Sequence, residues 1–228
     1  LYTEEYFRNA LARLKPGGIM TSWLPLEMPA QDFRAILRTF RSVFPNVYVW
    51  STLSHYNKHA LVIGSRSPLQ LDVGRFLYRF DRFARDDLAA IYLSDPAGFL
   101  VSHLAALVGD DPELDSAPLN TIDLPTLQYL HMRAGGYSLA ERRDLVAGSL
   151  AFLAGRRDLI SGRMAAEAPT ARTELLSRRL QALEEATTHL LDARVLRYRS
   201  PAEADVEYRR ARELAPSHPA FLSESAMR

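Results

Sequence analysis

Thiol chemistry is closed to this chain, because cysteine is absent. No thiolate nucleophile, disulfide or thiolate-ligated metal can form. His55 and His59 are four residues apart, a spacing that on one helix face would aim two imidazoles at a metal. Their surroundings read as loop and strand, with no third ligand, which favours solvated loop histidines. Asp110, Asp111, Glu113 and Asp115 gather carboxylates ahead of Asn120. As a cation site the group lacks the glycine and closing glutamate of a calcium loop, so a solvated acidic loop is expected. Ser102 and His103 with Asp123 have the residue types of a hydrolytic set. No G-x-S-x-G turn frames the serine, and His103 is expected on the side of a helix. The pairs Arg142-Arg143, Arg156-Arg157 and Arg178-Arg179 are interspersed with acids and read as helix surface, not as a nucleic-acid stripe.

The elements that must position these groups follow from periodicity. From Thr3 to Leu14 the apolar residues Tyr6, Phe7, Ala10, Leu11 and Leu14 recur at helical spacing, with Thr3 as cap and Glu4 and Glu5 at the positive end. Pro16-Gly17-Gly18 ends that helix and Ile19 to Trp23 reads as a strand. Gln31 to Phe44 returns to helix, with Phe33, Ile36, Leu37, Phe40, Val43 and Phe44 on one face, and Pro45-Asn46 closes it. Val47 to Ser51 and His59 to Ile63 read as strands joined too closely for a helical crossover, so they are expected to pair antiparallel. A helix feeding a strand through a glycine turn belongs to a βαβ unit and implies a parallel sheet. Parallel sheet and closing hairpin together describe the second half of a class I methyltransferase-like Rossmann fold, an α/β class, followed by an α-helical region.

Beyond Ser65 the spacing predicts short helices over Val73 to Phe80, Phe83 to Leu93 and Phe99 to Val108, then a loop over Gly109 to Thr126. From Ser138, a cap with Glu141 in capping-box position, nearly everything reads as helix. The expected division is a partial Rossmann-like domain over 1–69, a helical and loop extension of it over 70–134, and a helical region over 135–228, with a boundary near Gly135-Gly136. A hydrophobic content of 47% supports a buried core. The 28 basic against 27 acidic side chains provide no field that would favour nucleic acid or an anionic surface. No apolar run approaches the ~20 residues of a membrane span, and a cytoplasmic location is the expectation. The chain opens at Leu1 within a helical pattern, which reads as a fragment of a longer protein.

Several segments carry a family resemblance. Leu1-Tyr2-Thr3 with Tyr6-Phe7, Leu14-Lys15-Pro16-Gly17-Gly18, Trp23-Leu24-Pro25-Leu26, Arg38-Thr39-Phe40 and Val43-Phe44-Pro45 resemble the second half of a spermidine synthase domain. The likeness is greatest to the bacterial branch fused to membrane transporter segments. Pro118-Leu119-Asn120-Thr121-Ile122-Asp123-Leu124-Pro125 is similar to a PLNTDDRP stretch of that branch, with Ile122 and Leu124 in place of an acid and an arginine. The resemblance spans roughly residues 1 to 133. It implies transfer of an aminopropyl group from decarboxylated S-adenosylmethionine to a small-molecule amine, in a parent protein that upstream transmembrane helices could anchor. The nucleotide-binding glycine loop, the acidic ribose ligand and the catalytic D-x-x-D-P segment of the family have no match here, so no catalytic, cofactor-binding or metal residue is assigned. This chain alone is expected to be inert.

Two substrate-binding positions are implied by the resemblance. Trp23 falls where diamine-using synthases carry a glutamine, and offers cation–π attraction of ~0.5 to 2 kcal/mol but no acceptor for amine protons. Tyr56 falls in the loop that carries a T-Y-P motif in those enzymes, with Asn57 replacing the proline. Simple packing is the competing account of both. Two alternatives to aminopropyl transfer stay open, methyl transfer and a non-catalytic scaffold. In the tail, Ala204, Tyr208, Ala211 and Pro216 keep the spacing of the second helix of a tetratricopeptide repeat. Leu191 fits the first helix, whereas Thr188, Asp192 and Val195 depart from it. A generic helical hairpin explains the same residues, and a protein partner bound through residues 138–228 is the expectation if the repeat is real.

Overall fold

The computed structural model describes residues 2–53, 58–127, 138–164 and 170–225. Tyr56 and His55 lie outside the described residues, as does the expected boundary at Gly135-Gly136. The chain is mixed α/β, with a four-stranded sheet and helices. It divides into two compact units, one of residues 1–50, 58–69 and 105–156, the other of 51–57, 70–104 and 157–228.

The first unit opens with helix α1 (Glu4–Arg13), capped by the Thr3 side chain, which accepts from the Tyr6 N–H. Gly17 at φ +73° turns the chain, a left-handed conformation that glycine adopts without Cβ strain, into strand β1 (Ile19–Pro25). Helix α2 (Ala30–Arg41) buries Phe33, Ile36, Leu37 and Phe40, the face expected from their spacing. Strands β2 (Asn46–Trp50) and β3 (His59–Ser65) pair antiparallel as expected. The parallel pairing expected of β1 is not formed: β3 folds back beside β2 and takes the edge of β1, also antiparallel. β1 and β2 therefore run in the same direction with β3 between them. Leu24, Ala60, Val62, Val47 and Val49 fill the buried face of the three strands. Gly64 allows the close approach of α2 there, since a Cβ would lie 2.6 Å from the Phe40 ring. The rings of Phe7, Phe40 and Phe44 pack in series, Phe7 edge-on to Phe40 at 4.8 Å and Phe40 stacked on Phe44 at 4.7 Å, each such pair worth ~0.5–1.5 kcal/mol beyond burial.

The helix expected over Phe99 to Val108 is not formed. A single turn, α5 (Pro96–Leu100), gives way to strand β4 (His103–Ala106), the fourth of the order β1-β3-β2-β4. Hydrogen bonds from Leu107 N–H to the Val47 carbonyl (2.8 Å) and from Ser51 N–H to the Ser102 carbonyl (2.7 Å) set β4 antiparallel to β2. Ladder bonds override a helical apolar pattern too short to nucleate on its own. The acidic loop holds one short helix, α6 (Pro112–Asp115). Helix α7 (Leu139–Ala154) carries the expected capping box of Ser138 and Glu141, and its Phe152 packs edge-on to Phe33 at 5.9 Å.

In the second unit, α3 (Val73–Arg79) runs through a π-helical turn at Phe80–Ala84 into α4 (Arg85–Ala89). Its inner side is an aromatic cluster of Phe76, Phe80 and Phe99, with centroids 5.6 to 6.1 Å apart. Helix α8 (Ala171–Leu196) buries Leu176, Leu180, Leu183, Leu190 and Leu191 and packs along α9 (Pro201–Leu214), and α10 (Pro219–Ser225) follows. Ala204 and Ala211 are buried and the Tyr208 ring meets Phe221 edge-on at 5.2 Å. α8 is a single helix of 26 residues, longer than the first helix of one tetratricopeptide repeat needs. No helix of the described residues is long and apolar enough to cross a membrane.

Candidate functional site

The alternation of β1 places Ile19, Thr21 and Trp23 on the face of the sheet opposite α2. The register aligns Trp23 with Leu61 and Leu61 with Trp50, one row across three strands, and Thr21, Ile63 and Tyr48 form the row beneath. Trp23 is 50% exposed and Leu61 45%, so the row offers solvent an indole face at the C-terminal end of β1. The Trp23 indole lies 4.8 Å from the His59 ring, tilted by 44°. Its carbonyl accepts the Tyr2 hydroxyl at 2.7 Å, and burial, reinforced by Tyr6, pushes the Tyr2 phenol above its usual range. The row itself carries no carboxylate.

The nearest charge in the chain beyond β1 is Glu27, which the sequence reading passed over. Lys58 Nζ approaches its Oε2 at 2.9 Å and Arg142 its Oε1 at 3.5 Å. The Leu26 N–H bond to the Lys58 carbonyl (2.8 Å) continues the β1–β3 ladder and brings Lys58 beside Glu27. Its signal in sequence was only its place just after Trp-Leu-Pro-Leu. Asp32, buried in the first turn of α2, is a second missed carboxylate, placed where the helix dipole favours its charge. This end of β1 thus presents a half-exposed indole, and Glu27, four residues further on, is paired with Lys58 and Arg142.

The other expected groups are used structurally. The acidic loop is solvent-exposed at Asp110, Glu113 and Asp115, as expected, and three of its carboxylates also pair with arginines. Asp111 takes a two-pronged bond from Arg156 (2.6 and 2.8 Å), Glu113 binds Arg156 at 2.9 Å and Arg34 at 3.4 Å, and Asp115 pairs with Arg41 at 3.3 Å. Arg156, assisted by the Leu114 N–H, holds the Asp111 carboxyl below its ordinary range. Among the described residues no group of three His, Asp or Glu is placed to hold a metal. Asn120 is a buried staple: its N–H donates to Thr39 Oγ1 (2.9 Å), its amide to the Tyr2 carbonyl (2.9 Å), and its Oδ1 accepts from Leu127 (3.2 Å). Ile122 and Leu124 are exposed.

The hydrolytic set does not assemble around Ser102 and His103. His103 lies on β4 rather than a helix, with its Nε2 2.9 Å from Asp158, and the buried Ser102 hydroxyl donates to the Gly98 carbonyl at 3.4 Å. Nor are Arg156 and Arg157 helix surface. Arg157 is largely buried, its Nη2 donates to the Glu184 carbonyl at 3.2 Å, and desolvation lowers its pKa against the opposing carboxylates of Glu184 and Asp158. A scan against protein-family models gives no match to this chain, and searches of curated proteins and of solved structures give no match either.

Proposed function

We propose that this chain is the far half of a spermidine-synthase-like transferase domain, forming one wall of an amine-binding pocket. The observation that carries the reading is the bared Trp23 indole at the C-terminal end of β1, with Glu27 just beyond it. The order of helix, strand, helix and antiparallel hairpin supports it, as does the PLNT segment, whose Asn120 ties it to the start of α1. In the proposed reaction the parent protein moves an aminopropyl group from decarboxylated S-adenosylmethionine to an amine, and only the free amine is a nucleophile. No glycine loop or ribose-binding acid in these residues fits the adenosyl group. The contribution assigned here is therefore to bind and orient the acceptor.

The test is an assay of the protein with its upstream sequence restored, given the decarboxylated and the intact donor in turn. Aminopropyl transfer to an amine is expected. Methyl transfer would make it a methyltransferase, and the lack of an acidic D-x-x-D-P segment upstream would defeat the reading. Trp23→Ala should raise the KM for the amine about 2- to 30-fold, the equivalent of ~0.5 to 2 kcal/mol of cation–π attraction, with little change in melting temperature. A second reading, a scaffold whose tail recruits a protein, draws on the buried Ala204 and Ala211 and the Tyr208–Phe221 contact. If Val206→Glu with Leu214→Glu, both on exposed positions of α9, leaves every interaction of the protein intact, that reading fails.

A further inference from the structure

The helical segment of α3, the π turn and α4 has two unlike sides. Leu77 and Phe80 are buried and Phe76 is half-buried on the inner side. Arg75, Tyr78, Arg79, Arg82 and Phe83 are all exposed, and their steps of three and four residues put them along one outer face. Tyr78 is 62% and Phe83 64% exposed, among the most exposed large side chains of the described residues. The Arg82 guanidinium lies 5.6 Å from the centroid of the Phe83 ring, so cation and ring present together. The guanidiniums of Arg75, Arg79 and Arg82 make no ion pair among the described residues. Asp81, the carboxylate within this stretch, is held by both Arg85 and Arg172 and is pulled below its ordinary range by them. Asp72 is turned to the Arg75 backbone N–H as the cap of α3. The exposed Asp86 and Asp87, in the first turn of α4, bound the face at its far end.

We infer that this face docks on an anionic phospholipid surface. Three guanidiniums without a carboxylate partner among the described residues suit an anionic surface, and two protruding rings suit an apolar layer beside it. The face is the outer ridge of a helix, so it suits a partner that requires no matching groove. A bilayer interface supplies phosphates at the level of the guanidiniums and acyl chains just beneath, where Tyr and Phe settle. Nucleic acid fits less well. Its affinity comes from many phosphate contacts, and this face has three cations with acidic residues close behind.

The test is co-sedimentation of the full chain with vesicles of phosphatidylcholine alone and of phosphatidylcholine mixed with phosphatidylserine, alongside a single-stranded oligonucleotide arm. Binding is expected only to the mixed vesicles, and weaker at high salt. About fivefold in partition is expected per arginine, so Arg75→Gln, Arg79→Gln and Arg82→Gln together should lower it on the order of a hundredfold. Phe83→Ser should weaken binding with the charge unchanged, and Asp86→Asn with Asp87→Asn should strengthen it. All seven positions, Tyr78 included, are exposed, and circular dichroism of each variant should match the parent chain. Equal binding to neutral vesicles, no binding to either kind, indifference to the triple substitution, or tighter binding to the oligonucleotide would each overturn the inference.

Discussion

His218 is 2% exposed and should make the second unit sensitive to acid. Its Nδ1 accepts from the Ala220 N–H at 3.1 Å, so the proton resides on Nε2, 3.0 Å from Thr187 Oγ1, which in turn donates to the Leu183 carbonyl at 2.7 Å. Burial, and then the positive charge of Arg157, lower its pKa from 6.5 to about 3. Because the folded value lies below the unfolded one, the unfolded chain binds the extra proton. Stability is therefore full above pH ~6.5 and declines as pH falls toward the folded value, by about 1.4 kcal/mol per pH unit within that window. Between pH 7 and pH 5 the loss from this residue is about 2 kcal/mol. Urea unfolding followed by circular dichroism at pH 7, 6 and 5 measures it. His218→Gln, which cannot titrate, should flatten the dependence by that amount even though it lowers stability at pH 7. A His218 ring resonance that titrates with a midpoint above pH 5, or a variant with the same pH slope as the parent chain, would refute the reasoning.

Gly64→Ala forces a methyl group into the rings of Phe40 and Phe44 and should cost about 1–3 kcal/mol, read from tryptophan fluorescence in urea because Trp23 and Trp50 belong to the same unit. Asn120→Ala removes the amide bonds to Tyr2 and Leu127 and should cost about 2–3 kcal/mol, with faster hydrogen exchange at the Leu127 amide. Arg156→Met leaves Asp111 and Glu113 without their shared cation. A loss of about 1–3 kcal/mol at neutral pH is expected. Since the Asp111 pKa is depressed in the folded chain, that stabilisation is present above the ordinary carboxylate range and disappears on acidification, so the parent and variant unfolding curves should converge at low pH.

Local chemistry made much of the chain legible. The cap at Thr3, the apolar face of α2 and the Ser138–Glu141 capping box are each encoded within a few residues and were readable from them. β4 was not readable, since Phe99 to Val108 is apolar enough to read as helix and only the β2 carbonyl and amide groups beside it make a strand the better solution. The candidate site divides in the same way. Trp23 was singled out through a resemblance, but its exposure depends on the strand register. Glu27 became a candidate only once the ladder brought Lys58 next to it.

By itself the sequence determined the elements from α1 to β3 and their order, because helical periodicity, caps and glycine turns act over three or four residues. Tertiary structure alone decided where β1 and β4 join the β2–β3 hairpin, which acids meet which arginines, and that His218 is buried and neutral. Those outcomes depend on pairings tens of residues apart along the chain, and pattern within a short window carries no information about them. The strand order β1-β3-β2-β4 and the pairing of Arg156 with Asp111, 45 residues apart, are the clearest cases.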